Sequence, residues 1–289
     1  MRSPASHRLK DMTRWLIDEL SPATPTASLE AAMLLQAVTS LSRTEQIAKD
    51  HLELAEANIA ILRGWLTRRQ QGEPMAYILG SKEFYGREFV VDPRVLIPRP
   101  ETEQIIDISK DYVKEFHLIA PQVLDIGTGS GCIAITIALE CPGSIVEAWD
   151  ISADALGVAR HNARTLGASL MFSQLDALSE ATWQYVPSPP FHLIVSNPPY
   201  IARHQAHLVE ANVVQFEPSL ALFSQHGLEF YETMAVRSGA FLKPGGQLVC
   251  EIGFDQGEAV ANLFRMNSWS DVEVFKDLSG HDRIVRAGI

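Results

Sequence analysis

The chain has 289 residues, 46% of them hydrophobic and 20% charged, which favours a globular protein of about two domains with a substantial buried core. No apolar run approaches the roughly 20 residues that a membrane-spanning helix needs, and a formal net charge of −11 argues against a surface built to bind nucleic-acid phosphates. Residues 1–7 lack a signal or transit pattern, and the three cysteines lack metal-site spacing, so we expect a cytoplasmic protein without a metal site.

The first 75 residues show helical periodicity. Apolar residues recur at three- and four-residue intervals, as on one face of a helix, in two places. These sets are Met12, Trp15, Leu16 and Leu20, and then Ile59, Leu62 and Leu66. Between them, Ser28 is a candidate cap for a helix over residues 29–38, and a shorter helix is expected between residues 41 and 54. The pattern predicts a small helix bundle over residues 1–75.

Residues 76–100 differ in character. Two runs rich in β-branched and aromatic residues, 84–91 and 95–97, flank Asp92-Pro93-Arg94, which is typical of a turn. We expect these runs to be two short strands, and residues 76–100 to form a β-hairpin linker between two domains.

From residue 101 to residue 289, strand-like apolar runs alternate with helical stretches. The expected strands are residues 123–126, 144–150, 170–172, 191–195 and 247–252, with helices such as 153–166 and 227–241 among them. Because such alternation builds a parallel sheet covered by helices, we predict a doubly wound, mostly parallel, Rossmann-like domain. The expected fold class is therefore α/β with a small all-α N-terminal domain.

A glycine-rich loop follows the first of these strands. It reads Asp125-Ile126-Gly127-Thr128-Gly129-Ser130-Gly131 and precedes an apolar helix. Glycines let a ligand approach the backbone closely, and open parallel sheets bind ligands at the carboxyl ends of their strands. The dinucleotide fingerprint would need glycine at Cys132, and a P-loop would need a lysine nearby. The spacing instead resembles the first motif of Rossmann-like methyltransferases.

An acidic residue, Asp150, ends the next strand. A carboxylate at this position can accept hydrogen bonds from both ribose hydroxyls of an adenosine. A glycine-rich turn or an acidic helix cap would explain either feature alone. Together they favour an adenosine-containing cofactor, with S-adenosylmethionine ahead of NAD.

The tetrapeptide Asn197-Pro198-Pro199-Tyr200 follows the strand expected at residues 191–195. Two prolines can simply end a strand. This turn, however, also lies at the carboxyl end of a strand in the same sheet, so we expect it to face the cofactor crevice.

The tetrapeptide suits a planar nitrogen. The lone pair of an amide or exocyclic amine is delocalised, so two acceptors aimed at its hydrogens would orient it and return electron density to nitrogen. The side-chain oxygen of Asn197 and the backbone carbonyl of Pro198 are the candidate acceptors. Tyr200 offers an aromatic face to the planar group and to a nearby sulfonium. Catalysis would rest on positioning and electrostatics, without a dedicated general base.

Nearly the whole chain resembles the HemK-type glutamine methyltransferases that modify peptide-chain release factors. Short motifs distributed along the chain carry this resemblance. They are Gly72-Glu73-Pro74 with Tyr77 and Gly80, Glu83-Phe84-Tyr85-Gly86, Ile97-Pro98-Arg99-Pro100-Glu101-Thr102-Glu103, the glycine loop, Asp150-Ile151-Ser152, Ser196-Asn197-Pro198-Pro199-Tyr200, Phe216-Glu217-Pro218, Ala221-Leu222, Leu242-Lys243-Pro244-Gly245-Gly246, Glu251-Ile252-Gly253 and Asp282-Arg283-Ile284-Val285.

The resemblance implies a helical N-terminal domain that helps to dock a release factor, and a substrate glutamine in the Gly-Gly-Gln loop of that factor. It implies that S-adenosylmethionine is held by a set of loop and strand-end residues, and the glutamine by the tetrapeptide. The first set is Gly127, Thr128, Gly129, Ser130, Gly131, Asp150, Asp176, Ala177 and Asn197, and the second is Asn197, Pro198, Pro199 and Tyr200.

Two parts of this assignment stay open. Asp176 is expected near the adenine amine, but Ala177 stands where relatives place an aromatic residue, so adenine stacking there is in question. Arg99-Pro100-Glu101 is either part of the rim of the site or a polar linker with a helix cap.

Other functions fit parts of the pattern. A paralogous enzyme with the same tetrapeptide would methylate a glutamine of a ribosomal protein, and an adenine amino methyltransferase would apply the same logic to nucleic acid. The acidic balance disfavours stable nucleic-acid binding, and Cys132 disfavours a nicotinamide-dependent oxidoreductase. A binding module without activity would need neither the glycine loop with its acid nor the tetrapeptide.

Overall fold

The computed structural model describes residues 4–184 and 190–289. The chain divides into two compact units, Met1–Gly80 and Ser81–Ile289. Of the helices in the described ranges, none combines the length and the apolarity that crossing a bilayer requires. Within the same ranges, no three or more His, Cys, Asp or Glu side chains cluster as metal ligands would.

The described part of the first unit is helical. Its α-helices are α1 (Leu9–Leu20), α2 (Ala27–Thr39), α3 (Arg43–Ala48), α4 (Glu56–Gln70) and α5 (Met75–Leu79). Both predicted apolar stripes are buried and pack into one core, as expected for amphipathic helices. The predicted cap Ser28 was wrong, because α2 begins at Ala27. Polar contacts at this helix start come instead from Thr24 and Thr26, whose hydroxyls donate to the Glu30 carboxylate at 2.8 and 3.1 Å.

The second unit begins with a two-stranded antiparallel hairpin, β1 (Ser81–Phe84) and β2 (Arg87–Val90). The turn was predicted at residues 92–94, but the structure places it at Tyr85 and Gly86. Both residues have positive φ angles, 51° and 73°, which the type I′ hairpin turn requires. Residues 95–97, predicted as a strand, are not one. The backbone N–H of Ile97 instead donates to the Glu217 carboxylate at 3.0 Å.

The remainder of the second unit alternates helices and strands. Its helices are α6 (Glu103–Glu115), α7 (Cys132–Glu140), α8 (Ala153–Leu166), α9 (Ala211–Phe216), α10 (Ser219–Leu222), α11 (Glu229–Arg237) and α12 (Gly257–Met266). Its strands are β3 (Gln122–Ile126), β4 (Ile145–Asp150), β5 (Met171–Gln174), β6 (Phe191–Ser196), β7 (Ile201–Ala202), β8 (Phe223–Ser224), β9 (Leu242–Glu251), β10 (Ser270–Lys276) and β11 (Asp282–Gly288).

In the described ranges, seven of these strands form one sheet in the order β10-β11-β9-β6-β3-β4-β5. The strands from β9 to β5 are parallel, whereas β11 pairs antiparallel with both β9 and β10. The two sheet faces contribute to two apolar clusters, one with α6 and α7 and the other with α11 and α12. The prediction of a doubly wound, mostly parallel α/β fold with a helical N-terminal region is confirmed.

The chain order reverses at β3, which has β4 on one side and β6 on the other. Ile126, the last residue of β3, pairs with Trp149 of β4 and with Ser196 of β6. The segments that follow these three strands therefore emerge side by side. Open α/β sheets bind ligands at such a switch point.

Candidate active site

The glycine loop leaves β3 through backbone conformations that favour glycine. Gly127, Gly129 and Gly131 have φ angles of 76°, 55° and 82°. The loop is tied to the neighbouring strand, because the N–H groups of Gly127 and Thr128 both donate to the carbonyl of Trp149 at 2.9 Å. The loop is thus fixed beside the end of β4.

Gly131 is required for packing as well as for its φ angle. A Cβ atom there would lie 2.7 Å from Cδ1 of Ile135 and 3.2 Å from Cβ of Ala159. Gly131 therefore lets α7 and α8 approach closely just behind the loop.

Replacing Gly131 with alanine is expected to destabilise the protein. A left-handed φ angle costs an L-residue about 1–2 kcal/mol. Overpacking should add about 1 kcal/mol or more, because Ile135 can swing away but Ala159 cannot. The matched control is Gly167→Ala, which has a φ angle of +74° and nothing within 4 Å of its added Cβ. Thermal or urea denaturation of both variants measures the difference, and equal losses would contradict the packing role of Gly131.

Asp150 closes the loop from β4. Its Oδ2 accepts the N–H of Gly129 and its Oδ1 accepts the N–H of Ser152, both at 2.9 Å. Burial raises the pKa of this carboxyl, while these backbone N–H groups act in the opposite direction. Each carboxylate oxygen has two lone pairs, so each keeps one for a ligand hydroxyl. The carboxylate can therefore receive a pair of vicinal hydroxyls such as those of a ribose.

Asp125 lies fully buried beneath the loop. Its Oδ2 accepts the hydroxyl of Thr128 at 2.7 Å, which holds the loop down from below. Burial, with a smaller contribution from the neighbouring Asp150 charge, raises the pKa of Asp125 to about 7, although the hydrogen bond from Thr128 acts in the opposite direction. The folded protein therefore retains this proton at pH values where an unfolded chain has released it.

This retained proton predicts a pH-dependent stability. Between about pH 4 and pH 7 the folded state binds more protons at Asp125 than the unfolded state, so its contribution to the free energy of unfolding falls as pH rises. Asp125→Asn keeps an acceptor for Thr128 and does not titrate. The stability of this variant relative to the parent is expected to increase from pH 4 to pH 7 and then level off. Urea denaturation across this range measures it, and a pH-independent difference would contradict the assignment.

Asn197 and its neighbours follow β6. The hydroxyl of Ser196 donates to the carbonyl of Ile126 at 2.7 Å, which joins this turn to the end of β3. The amide nitrogen of Asn197 donates to the Thr102 hydroxyl at 3.1 Å, so its oxygen is left for another partner. The Tyr200 hydroxyl lies 3.4 Å from Glu251, and the Tyr200 carbonyl accepts from Gln256 at 3.0 Å. Burial above all raises the pKa of Tyr200, so the phenol stays neutral.

Two cavities meet at Asn197. The larger has a volume of about 510 Å³, and the smaller has about 210 Å³. Both are lined by Leu96, Arg99, Asn197 and Ala221. Every predicted cofactor residue except Gly131 lines the larger cavity, as do Pro198 and Pro199, whereas Tyr200 lines the smaller one. The structure thus brings the predicted residues together, with Gly131 behind the wall.

Ala177 lies in the wall of the larger cavity. Its carbonyl accepts the indole N–H of Trp183 at 2.8 Å, and Trp183 meets Trp149 edge to face with centroids 5.7 Å apart. Asp176 lines the cavity next to Ala177, and its Oδ1 accepts the N–H of Leu178 at 2.9 Å. Trp183 is buried beside Ala177 and does not line the cavity, whereas Trp149 lines the cavity together with Ala177.

Arg99 belongs to the rim of both cavities. It donates to the carboxylate of Glu217 at 2.5 Å, and the same carboxylate accepts the N–H of Ile97. The Glu217 side chain is 1% exposed, so this carboxylate is buried and satisfied by both donors. These two hydrogen bonds hold the segment before α6 at the edge of the cavities. Arg99 is therefore not part of a free polar linker.

Sequence reasoning gave no role to Thr102, Glu217 or Glu251, although each lies in a motif that carries the family resemblance. Their partners are distant in sequence: Thr102 donates to Glu251 across 149 positions. Burial raises the pKa of Glu251 to about 7, against the opposing effects of Thr102 and Arg283. The sequence shows that these residues are polar and lie in short motifs. It does not show which residues they bind.

Family models match two parts of the chain. A family model described as the PrmC N-terminal domain matches residues 11–80, and one described as the methyltransferase small domain matches residues 106–219. A methyltransferase structure from Pyrococcus furiosus, 17% identical, has a TM-score of 0.51 and covers 72% of this chain and 91% of that one. At that identity it supports the fold alone.

Relatives of known name extend over most of the chain. A release factor glutamine methyltransferase from Chlorobaculum tepidum is 42% identical over 260 residues, covering 88% of this chain and 88% of that protein. Another from Neisseria gonorrhoeae is 42% identical over 263 residues, covering 89% of this chain and 91% of that protein. The chain belongs to the family of release factor glutamine methyltransferases.

Proposed function

We propose that this protein transfers a methyl group from S-adenosylmethionine to the side-chain amide nitrogen of the glutamine in the Gly-Gly-Gln loop of a peptide-chain release factor. One observation carries the proposal. Asn197 follows β6 with its amide nitrogen bound to Thr102 and its oxygen left for a ligand, in the same cavity as the glycine loop that follows β3. The names of the relatives supply the class of protein substrate.

The size of the larger cavity supports its assignment as the cofactor site. Its volume of about 510 Å³ falls within the roughly 300–1,000 Å³ of small-molecule and cofactor sites. Asp150 would receive the ribose hydroxyls, the glycine loop would bring its backbone close to the cofactor, and Asp176 would lie near the adenine. When bound, S-adenosylmethionine would supply a methyl group by breaking its bond to the positively charged sulfur, which would be left as a neutral thioether. The amide nitrogen that accepts the methyl group would lose one proton to water.

The protein's own residues would orient the amide. The oxygen of Asn197 and the carbonyl of Pro198 would each accept one of the two amide hydrogens, which directs the nitrogen lone pair towards the methyl group. Pro199 fixes the turn, because its ring restricts the conformation of Pro198. The neutral Tyr200 ring would cover the planar group and favour positive charge nearby. Positioning and electrostatics then suffice for the transfer.

The helical segment at residues 1–75 is proposed to dock the release factor, with residues 76–100 as the linker and residues 101–289 as the methyltransferase domain. The formal net charge of −11 supports a protein partner over nucleic-acid phosphates. A cytoplasmic location stays a prediction.

Mass spectrometry tests the proposal. An unmethylated release factor is incubated with this protein and S-adenosylmethionine, with ribosomal protein and DNA as parallel substrates. One added methyl group on the Gly-Gly-Gln glutamine is the expected result. Methylation of DNA or of a ribosomal-protein glutamine, with none on the release factor, would overturn the choice of substrate while preserving the amide or amine chemistry.

A further inference from the structure

The two ends of the Asn197 side-chain amide have opposite hydrogen-bond roles. The oxygen accepts and the nitrogen donates, and rotation of the amide by half a turn exchanges them. An asparagine that holds a substrate N–H group is useful in one of these orientations. In the other, two N–H groups would face each other. The orientation of the Asn197 amide therefore depends on the hydrogen-bonding groups of its neighbours.

Three buried or partly buried side chains form a short chain of hydrogen bonds. The amide nitrogen of Asn197 donates to Oγ1 of Thr102 at 3.1 Å, and the Thr102 hydroxyl donates to Oε2 of Glu251 at 2.5 Å. Thr102 and Glu251 are 2% and 1% exposed. The three residues come from the turn after β6, the short 3₁₀ helix Pro100–Thr102 and the end of β9. Thr102 lines the larger cavity and Glu251 the smaller one.

These two hydrogen bonds have the same direction, from Asn197 to Thr102 and from Thr102 to Glu251. A hydroxyl has one hydrogen, and above the raised pKa of Glu251, about 7, the ionised carboxylate can only accept, so the Thr102 hydroxyl donates to it at 2.5 Å. Oγ1 of Thr102 then has only lone pairs to offer to Asn197. If the Asn197 amide rotated, its oxygen would face those lone pairs in a buried place, which would leave two acceptors without a hydrogen between them.

Glu251 is itself firmly placed. Its backbone carbonyl accepts the hydroxyl of the fully buried Tyr231 at 2.8 Å, and its backbone pairs with Ile284 of β11. Its second carboxylate oxygen lies 3.4 Å from the Tyr200 hydroxyl. Glu251 is therefore held in place by the sheet. Because Thr102 donates to Glu251, Thr102 can only accept from Asn197, so Glu251 fixes the orientation of the Asn197 amide.

We infer that Thr102 and Glu251 are positioning residues that hold the Asn197 amide with its oxygen towards the substrate. Neither residue needs to contact the reacting atoms. This inference rests on the proposed function, because it assigns the oxygen of Asn197 to a substrate N–H group.

Kinetics of matched variants test the inference. Thr102→Val removes the hydroxyl and preserves the shape of the side chain, and Thr102→Ser keeps the hydroxyl. Thr136→Val is the control, because Thr136 is fully buried on α7 and its hydroxyl has no hydrogen-bond partner among the described residues. For each variant, kcat and KM are measured with an unmethylated release factor, and the dissociation constant of S-adenosylmethionine is measured by calorimetry.

Thr102→Val is expected to lower kcat by about 10- to 100-fold, the order of effect of misplacing a reacting group. KM and cofactor binding should change little, and Thr102→Ser should restore most of the rate. Glu251→Gln should also lower kcat, but much less in the Thr102→Val background than in the parent, because Glu251 acts through Thr102. If Thr102→Val does not fold, Thr102→Ala replaces it in the same comparison.

Two results would overturn the inference. One is a Thr102→Val enzyme with the kcat of the Thr136→Val control, and the other is fully additive losses from Thr102→Val and Glu251→Gln. Failure of the proposed function is separate, since the parent enzyme itself would then leave the release factor unmethylated.

Discussion

Asn197→Ala is expected to lower kcat for methylation of the release factor by about 100- to 1,000-fold, the loss typical of removing one preorganised hydrogen-bonding group from a catalytic site. The physical reason is that the amide nitrogen would lose one of the two acceptors that orient its lone pair. The Thr102 hydroxyl would also lose the Asn197 N–H that it accepts at 3.1 Å. Steady-state assays with labelled S-adenosylmethionine measure the rate.

The control for this variant is Asn262→Ala, an exposed asparagine on α12 whose side chain contacts Arg265 and neither cavity. Both variants should unfold at temperatures close to that of the parent, because Asn197 is only partly buried and lies in a turn after β6. Normal turnover by Asn197→Ala would refute the role given to its oxygen.

Asp150→Ala is expected to weaken the binding of S-adenosylmethionine. A hydrogen bond to a charged group contributes about 1.5–3 kcal/mol, which corresponds to about 10- to 150-fold in the dissociation constant. The carboxylate also holds the N–H groups of Gly129 and Ser152, so its loss should loosen the glycine loop as well. Isothermal titration calorimetry with the cofactor measures the change.

Asp154→Asn is the matched control for charge. Asp154 is exposed in the first turn of α8, close to Asp150 in sequence, and it does not line the larger cavity. Removing its charge should leave the cofactor dissociation constant close to that of the parent. If Asp150→Ala binds the cofactor as well as Asp154→Asn does, the ribose assignment is wrong.

Periodicity and strand-helix alternation were enough to predict most of the fold. The helix α8 was predicted at residues 153–166 and is observed at Ala153–Leu166, because a serine cap precedes it and Gly167 ends it in a left-handed conformation. The hairpin turn was misplaced, because Asp92-Pro93-Arg94 has strong turn composition while Tyr85 must adopt a positive φ angle that its residue type disfavours. The local sequence favours a turn at residues 92–94, but the folded structure places the hairpin turn at Tyr85 and Gly86.

The candidate site was predicted where its residues lie in contiguous motifs. The glycine loop and the tetrapeptide each occupy one stretch, and each follows a strand that the sequence marks clearly. Thr102 and Glu251 could not be assigned in this way. Their roles depend on a hydrogen bond between residues 149 positions apart, and on a burial of both that composition does not reveal. Patterns in a single sequence predict where strands end. They do not predict which side chains at different strand ends form hydrogen bonds with one another.

Ile126 pairs in parallel with Trp149 on one side and with Ser196 on the other. The spacing between the two candidate ligand sites is therefore determined by the backbone hydrogen bonds of the sheet. Insertions or deletions in the surface segments that join these strands would change the length of a connection but not this spacing. Outer segments can therefore diverge during evolution, and the preference for one protein partner over another can change with them. The distance between methyl donor and acceptor would be inherited unchanged.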